Sequence, residues 1–369
     1  MQDQRWKIVR YAAKMTVFAA LFASLLIILA PPQIAYTSGP GPALAAGKSQ
    51  TALPETSAPV IGDRLIPLGR TTGIKLFAQG PIVVGFSELE QTGTCPAREG
   101  GLELGDVLLQ LDGQPLDGNG SLTEKLSEAR QDALCFTVLR DGEAREINVT
   151  AVYDEGLDCR RIGAWVRDSV AGIGTVTFVD PATGAFGALG HGICDADTGE
   201  LVPFGSGSLM ASCVDDVEKG KRGTPGQLCG SFDLVRDQGA LFANNEAGIF
   251  GVLTDGTIYD GLAALETAPR SALHEGEVTI VCNVDGVSRE EYQARILRVY
   301  PEGGEIGRDL MLEITDQRLL DKTGGIVQGM SGSPILQDGK LAGAVTHVLV
   351  NDPTRGYGIS IEEMLKAAR

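Results

Sequence analysis

The chain reads as a mainly β protein with an N-terminal apolar segment and two β-rich domains behind it. Two observations predict this. Its 49 glycines accompany only 5% aromatic residues, and its apolar runs are short, rich in Val, Ile and Thr, and broken by turn residues. At 369 residues there is room for two domains after a targeting segment.

Residues 1–46 open with Arg5, Lys7, Arg10 and Lys14, continue as the apolar run Met15–Ala30, and reach Pro31-Pro32. A basic flank before an apolar run is the pattern of a secretory signal or an uncleaved signal anchor. The small-residue stretch Ala43-Leu44-Ala45 lies well beyond the run, which favours an anchor over efficient cleavage. The basic flank then stays in the cytoplasm and the bulk of the chain lies outside that membrane. Residues 47–63 are a tether that continues the Pro- and Ala-rich stretch.

Beyond residue 46 the chain carries 27 basic and 47 acidic residues. Such a surface repels nucleic acid and anionic lipid, so a nucleic-acid role is excluded. Seven cysteines in an extracytoplasmic chain permit bridges, but an odd number leaves at least one thiol free. None forms a Cys-x-x-Cys pair, so a zinc site is not expected, and the chemistry read below needs no metal or cofactor.

Residues 64–153 hold the strand Ile82-Val83-Val84-Gly85-Phe86 and the string Pro96-Ala97-Arg98-Glu99-Gly100-Gly101-Leu102. Leu111-Asp112-Gly113, a helix over Ser121–Arg130 and a hairpin turning at Asp141-Gly142 follow. This segment resembles the PDZ domains of bacterial proteases, which bind extended peptides by adding a strand to a sheet edge. The resemblance implies that Thr72-Gly73-Ile74-Lys75-Leu76 receives a ligand's end, with Gly73, Ile74 and Leu76 in contact. The alternative is a spacer that merely packs on its neighbour.

Residues 154–369 carry the chemistry. Gly329-Met330-Ser331-Gly332-Ser333-Pro334 has the form of a serine nucleophile on a glycine-rich turn. Glycines on both sides let the backbone bend and a substrate carbonyl approach. The N–H groups of Gly329 and Ser331 are the expected oxyanion donors. The bland reading is a surface turn, since Gly, Ser and Pro favour turns for local reasons.

The chain has three histidines. His274 reads as a surface turn residue and His347 lies in a β-type run. His191 ends a strand-like run between glycines, so it is the expected base. Asp316 is the leading carboxylate to orient it, ahead of Asp195, Asp197 and Asp321. Cys194, three residues from His191, is a rival nucleophile that lacks a glycine turn. After Pro334 the chain reads as a strand, a turn at Asp338-Gly339, the strand Lys340–Leu349, another strand at Gly356–Ser360 and a C-terminal helix over 361–368. This run resembles a chymotrypsin-like barrel, in which the strand after the serine turn lines the substrate pocket. The resemblance implies that Thr346 and His347 are substrate-wall residues, and the alternative is two ordinary strand residues on alternating sides.

Three stretches together resemble the stage IV sporulation protein B endopeptidases. They are Gly190-His191-Gly192-Ile193 with Asp195 and Asp197-Thr198-Gly199, Thr323–Ile335, and Ala344–Thr354 with Gly356-Tyr357-Gly358. The resemblance runs from about Arg64 to the C-terminus. It implies a membrane-proximal segment, a PDZ domain and a chymotrypsin-like double β-barrel serine protease domain with a C-terminal helix. It also implies a catalytic set of His191, Asp316 and Ser331, with Asp316 only 15 positions before Ser331.

The implied function is a regulatory signalling protease of spore formation. It would be exported across the forespore membrane into the intermembrane space and would cleave itself near its N-terminus. Its partner would be a membrane-protein regulator of an intramembrane protease, cut in its extracytoplasmic part, so that a sigma factor is activated in the mother cell. Two rivals are a PDZ scaffold with an inert protease domain and a general extracytoplasmic quality-control protease. The second places its protease before its PDZ domains, the reverse of the order here.

Overall fold

The computed structural model describes residues 59–368 apart from Gly303, and only the backbone at positions 234 and 235. The apolar run Met15–Ala30 and the anchor expected there lie outside the described residues. No helix among those described is long and apolar enough to cross a membrane.

Along the chain, β1 (Arg64–Phe86) is followed by α1 (Pro96–Glu99), β2 (Val107–Leu111), β3 (Gln114–Pro115), α2 (Asn119–Glu128), β4 (Ala133–Arg140) and β5 (Glu143–Thr150). Then come β6 (Val152–Asp154), β7 (Cys159–Arg161), β8 (Ala164–Val179), β9 (Ala185–Ala188), β10 (Phe204–Glu218), β11 (Gln227–Asn245), β12 (Gly248–Leu253) and β13 (Leu265–Glu266). The remainder is β14 (Gly276–Asp285), β15 (Ser288–Val299), β16 (Leu310–Ile314), α3 (Gln317–Thr323), β17 (Pro334–Gln337), β18 (Lys340–Leu349), β19 (Asp352–Ser360) and α4 (Ile361–Ala367). The turn chemistry read from sequence recurs here. Asp141-Gly142 and Asp338-Gly339 both have positive φ at each residue, which gives tight hairpins between β4 and β5 and between β17 and β18.

The strands β10-β11-β12-β9-β8-β1 are hydrogen-bonded in that order, and β1 pairs back with β10. A second set, β14-β15-β16-β19-β18-β17, forms a closed barrel. Closing a sheet on itself removes most of its edges. The C-terminal helix bridges the two sets. Ile361 and Met364 of α4 are fully buried in one cluster with Leu65, Phe178 and Phe250 from the first set and Ala344 and Ile359 from the second. Burying each such side chain contributes about 1.5–3 kcal/mol.

β1 joins two parts of one 11-stranded sheet. Its residues Thr72–Phe77 lie between β8 and β10, whereas Ile82 pairs with Val107 of β2, from which β4 and β5 continue. A separate core of Leu108, Phe136, Val138, Val149 and Leu122 fills this second module.

That sharing corrects one expectation. Gly73, Ile74 and Leu76 do not form a peptide-receiving edge, because both sides of their strand are already paired. Gly73 stands opposite Ile173 on one side and Met210 on the other. Ile74 is 3% exposed and Leu76 is fully buried. A side chain at Gly73 would run into Phe232, so packing, not ligand binding, explains that glycine.

Candidate active site

β9 stops at a strained bend. The N–H of Gly190 donates to the carbonyl of Ala188 at 2.8 Å, across a Leu189 held at φ 68°. A two-residue-spaced bond over a positive φ is a rare, strained γ-turn, and an aliphatic residue there costs energy that the surroundings must hold in place. Leu189 is buried against Gly174, and Gly190, also at positive φ, fits against Thr346. The bend delivers His191 into the same cavity as Ser331.

The His191 Nδ1 lies 2.8 Å from the Gly192 carbonyl oxygen. A carbonyl only accepts, so Nδ1 carries the hydrogen and Nε2 keeps its lone pair. Burial lowers the His191 pKa below its ordinary value, which keeps the ring neutral and able to take a proton. Asn244 fixes the next residue. It accepts from the Ile193 N–H at 2.8 Å and donates to the carbonyls of Ile193 and Val202 at 3.0 and 2.9 Å.

The serine turn enters from the other barrel. Gly329 and Gly332 both have φ 95°, and a side chain at Gly332 would collide with the Thr175 carbonyl and Leu189. The Ser331 Oγ donates to the Thr346 carbonyl at 2.7 Å.

Two peptide units beside Ser331 are anchored by their carbonyls. Gln328 O accepts from Leu228 N–H at 2.9 Å. Met330 O accepts from Ser333 N–H at 2.9 Å and from Ser333 Oγ at 2.7 Å. A trans peptide points its N–H opposite its C=O. The N–H groups of Gly329 and Ser331 are thereby aimed away from those anchors, and neither has a partner among the described residues. Thr175, fully buried on β8, pins the peptide between them. Its Oγ1 donates to Gly329 O at 2.8 Å and its N–H to Ser331 O at 3.1 Å.

The cavity measures about 430 Å³ and its walls include Ile74, Val170, Ile173, Val327 and Val348. His191, His347 and Cys194 are the ionisable groups on its lining. Thr346 and His347 also line it, with the His347 ring centroid 5.2 Å from that of His191. Thr346 sends its Oγ1 to the Gly307 carbonyl. Partial desolvation and Glu246 raise the Cys194 thiol pKa, which argues against a thiolate nucleophile.

Asp316 is not brought to the site. Its carboxylate caps α3 by accepting the Arg318 N–H at 2.9 Å, and it also accepts the Gln293 N–H and the Arg318 guanidinium. The Arg318 hydrogen bond holds its carboxyl below the ordinary value. A carboxylate filled by these partners has no lone pair aimed at an imidazole. Asp195 is likewise engaged, by Arg167 at 2.6 Å and by the N–H groups of its own loop. Among the described residues, the partner found on His191 Nδ1 is the Gly192 carbonyl.

Sequence reasoning missed Thr175 and Asn244, whose roles depend on contacts far away in the chain. It also missed a second cleft of about 300 Å³ between Thr123 and Leu126 of α2 and the segment Arg160–Trp165. Gly163 there has φ 73°, and a side chain would strike the Ser87 carbonyl. An isolated glycine between Ile162 and the strand Ala164–Val166 was the available signal.

The family model described as SpoIVB peptidase S55 matches residues 158–365, more than half of the chain. The chain belongs to this family. It is a serine peptidase. A PDZ domain model matches residues 91–151 of this S55 peptidase, so a peptide or protein is its substrate or ligand. No curated protein matches it.

Among solved structures it is similar to the Rv3671c protease from M. tuberculosis. The active form is 15% identical over 53% of this chain and 72% of that one, with a TM-score of 0.32. The inactive form is 14% identical over 53% and 81%, with a TM-score of 0.31. The HtrA-type protease AlgW with decapeptide is 9% identical over 82% of this chain and 64% of that one, at 0.33.

Proposed function

We propose that the chain is a regulatory serine endopeptidase of spore formation. Its two barrels would form a chymotrypsin-like pair, anchored by the N-terminal segment in the forespore membrane and facing the intermembrane space. The Ser331 Oγ swings from the Thr346 carbonyl to His191 Nε2 and attacks the scissile carbonyl carbon. His191 takes the hydroxyl proton, and the charge on the carbonyl oxygen falls on the N–H groups of Gly329 and Ser331. The imidazolium then protonates the leaving amine, and water repeats the steps to free the acyl group. The Gly192 carbonyl stands where the orienting carboxylate was expected.

The observation that carries this reading is the pair of anchored N–H groups beside Ser331, without partners among the described residues, in a cavity shared with a neutral His191. In the family setting the substrate is the extracytoplasmic part of a membrane-protein regulator, and also the chain's own N-terminal region, with sigma-factor activation downstream. The cleft at Arg160–Trp165 is the place for a PDZ-type ligand, so the module that binds it ends beyond residue 153.

Intact mass against time, for the purified chain and for Ser331→Ala with a peptide library, tests the chemistry. The wild type should shorten itself or cut peptides, with turnover about 10⁶-fold above the variant, and a fluorophosphonate should label Ser331. An unlabelled wild type that leaves every peptide whole would hand the reading to an inert scaffold.

A further inference from the structure

β8 is 16 residues long and β9 only 4. β9 pairs with Val176–Val179 and then turns away. One residue earlier, Thr175 directs its N–H to the Ser331 carbonyl and accepts from the Leu189 N–H with its own carbonyl. From Gly174 back to Ala164, the β8 edge that faces away from β1 has no partner strand among the described residues. Among the described residues no loop or side chain hydrogen-bonds that stretch of backbone either.

Alternation assigns the open positions. A strand residue sends its N–H and C=O to one edge, and its neighbours send theirs to the other. Thr175 faces the open edge, so Ile173, Ala171 and Ser169 face it too, while Gly174, Gly172 and Val170 face β1. Natural proteins block long exposed edges with Pro, Lys or a covering loop. Val170–Gly174 has no Pro or Lys and no covering loop among the described residues, and Ala171 and Gly172 are small and exposed.

We propose that an extended polypeptide substrate adds to β8 as an extra strand, taking up the edge that β9 leaves free. This rests on the serine-peptidase reading of the cavity. Continuity supports it. Val170–Ile173 form a wall of the catalytic cavity, and the same strand begins in the second cleft at Ala164 and Trp165. The occupant is selected by its backbone: a segment able to lie flat, free of proline where its N–H must reach the Ala171 carbonyl.

Ala171→Pro tests this, because it deletes an N–H on the open edge and leaves the β1 ladder intact. Ala171→Thr keeps the N–H and is the control. Each full-length variant is assayed on a long peptide carrying the cleaved sequence and on a short chromogenic amide of the residues next to the cut. Fluorophosphonate labelling of Ser331 and the thermal midpoint are read in parallel.

Ala171→Pro should lower kcat/KM on the long peptide about 2- to 10-fold through KM, the worth of one hydrogen bond. Measured against Ala171→Thr, labelling and the short amide should fall less in Ala171→Pro than the long peptide does, because only the long peptide reaches the deleted N–H. Equal loss on both substrates, or no loss on either, overturns the proposal. So does a dimer that Ala171→Pro dissociates without touching hydrolysis, since the edge would then pair two copies. A wild type that never labels fails earlier, at the peptidase reading itself.

Discussion

Asp316 illustrates how a residue can hold the right type and spacing and still do other work. Its position before α3 makes it an N-cap, and Arg318 two residues later closes on the same carboxylate. Asparagine caps a helix about as well as aspartate, and alanine costs about 0.5–2 kcal/mol. Asp316→Asn should therefore lose only the pair with the exposed Arg318, which solvent screens, and should cost less than Asp316→Ala. Turnover per folded molecule should be unchanged in both variants, measured against active-site titration by fluorophosphonate. A collapse of kcat in Asp316→Asn with a normal thermal midpoint would return Asp316 to the catalytic set. The carboxyl titrates below its ordinary value, so the stability it contributes is complete above that value and fades as pH falls through the lowered one.

At the scale of elements, local signals were read correctly and long-range ones were not. The hairpins at Asp141-Gly142 and Asp338-Gly339, the strand Lys340–Leu349 and the closing helix follow from turn chemistry and periodicity within a few residues. The helix expected at Ser121–Arg130 spans Asn119–Glu128. His191 and Ser331 were legible because glycines flank them for steric reasons that show in the sequence. β1 was misread because nothing in Thr72–Leu76 reveals that β8 and β10 occupy its two sides.

Thr175 is hidden for the same reason, since its bond to Gly329 spans 154 positions. Thr175→Val keeps the N–H to Ser331 O but frees the peptide that carries the serine turn. We expect kcat to fall about 10- to 100-fold with KM unchanged, less than the loss of an oxyanion donor itself, and Thr175→Ser to restore it. An unchanged kcat in Thr175→Val would show that the turn holds its shape alone.

For the whole molecule, the boundary drawn near residue 153 cuts through a shared structure. A chain of residues 154–369 keeps every residue of the cavity except Ile74, yet it lacks β1, which pairs with both β8 and β10. It would expose two ladders and the cluster around Leu65 and Phe178. Such a fragment should show no cooperative thermal transition by circular dichroism, whereas a chain starting at residue 59 should melt in one. A sharp transition in the short fragment would mean that the second barrel and α4 suffice to order the first.

β8 also acts as a ruler. Its nine steps from Ala164 to Ile173 cover about 30 Å at the rise of an extended strand. A polypeptide held at the second cleft and cut at Ser331 must therefore supply at least that length of unfolded chain between the two points. Compact loops and short surface turns fall below the gauge, and a long slack tether exceeds it. The enzyme would thus sort targets by how much chain they can pay out, whatever residues flank the bond.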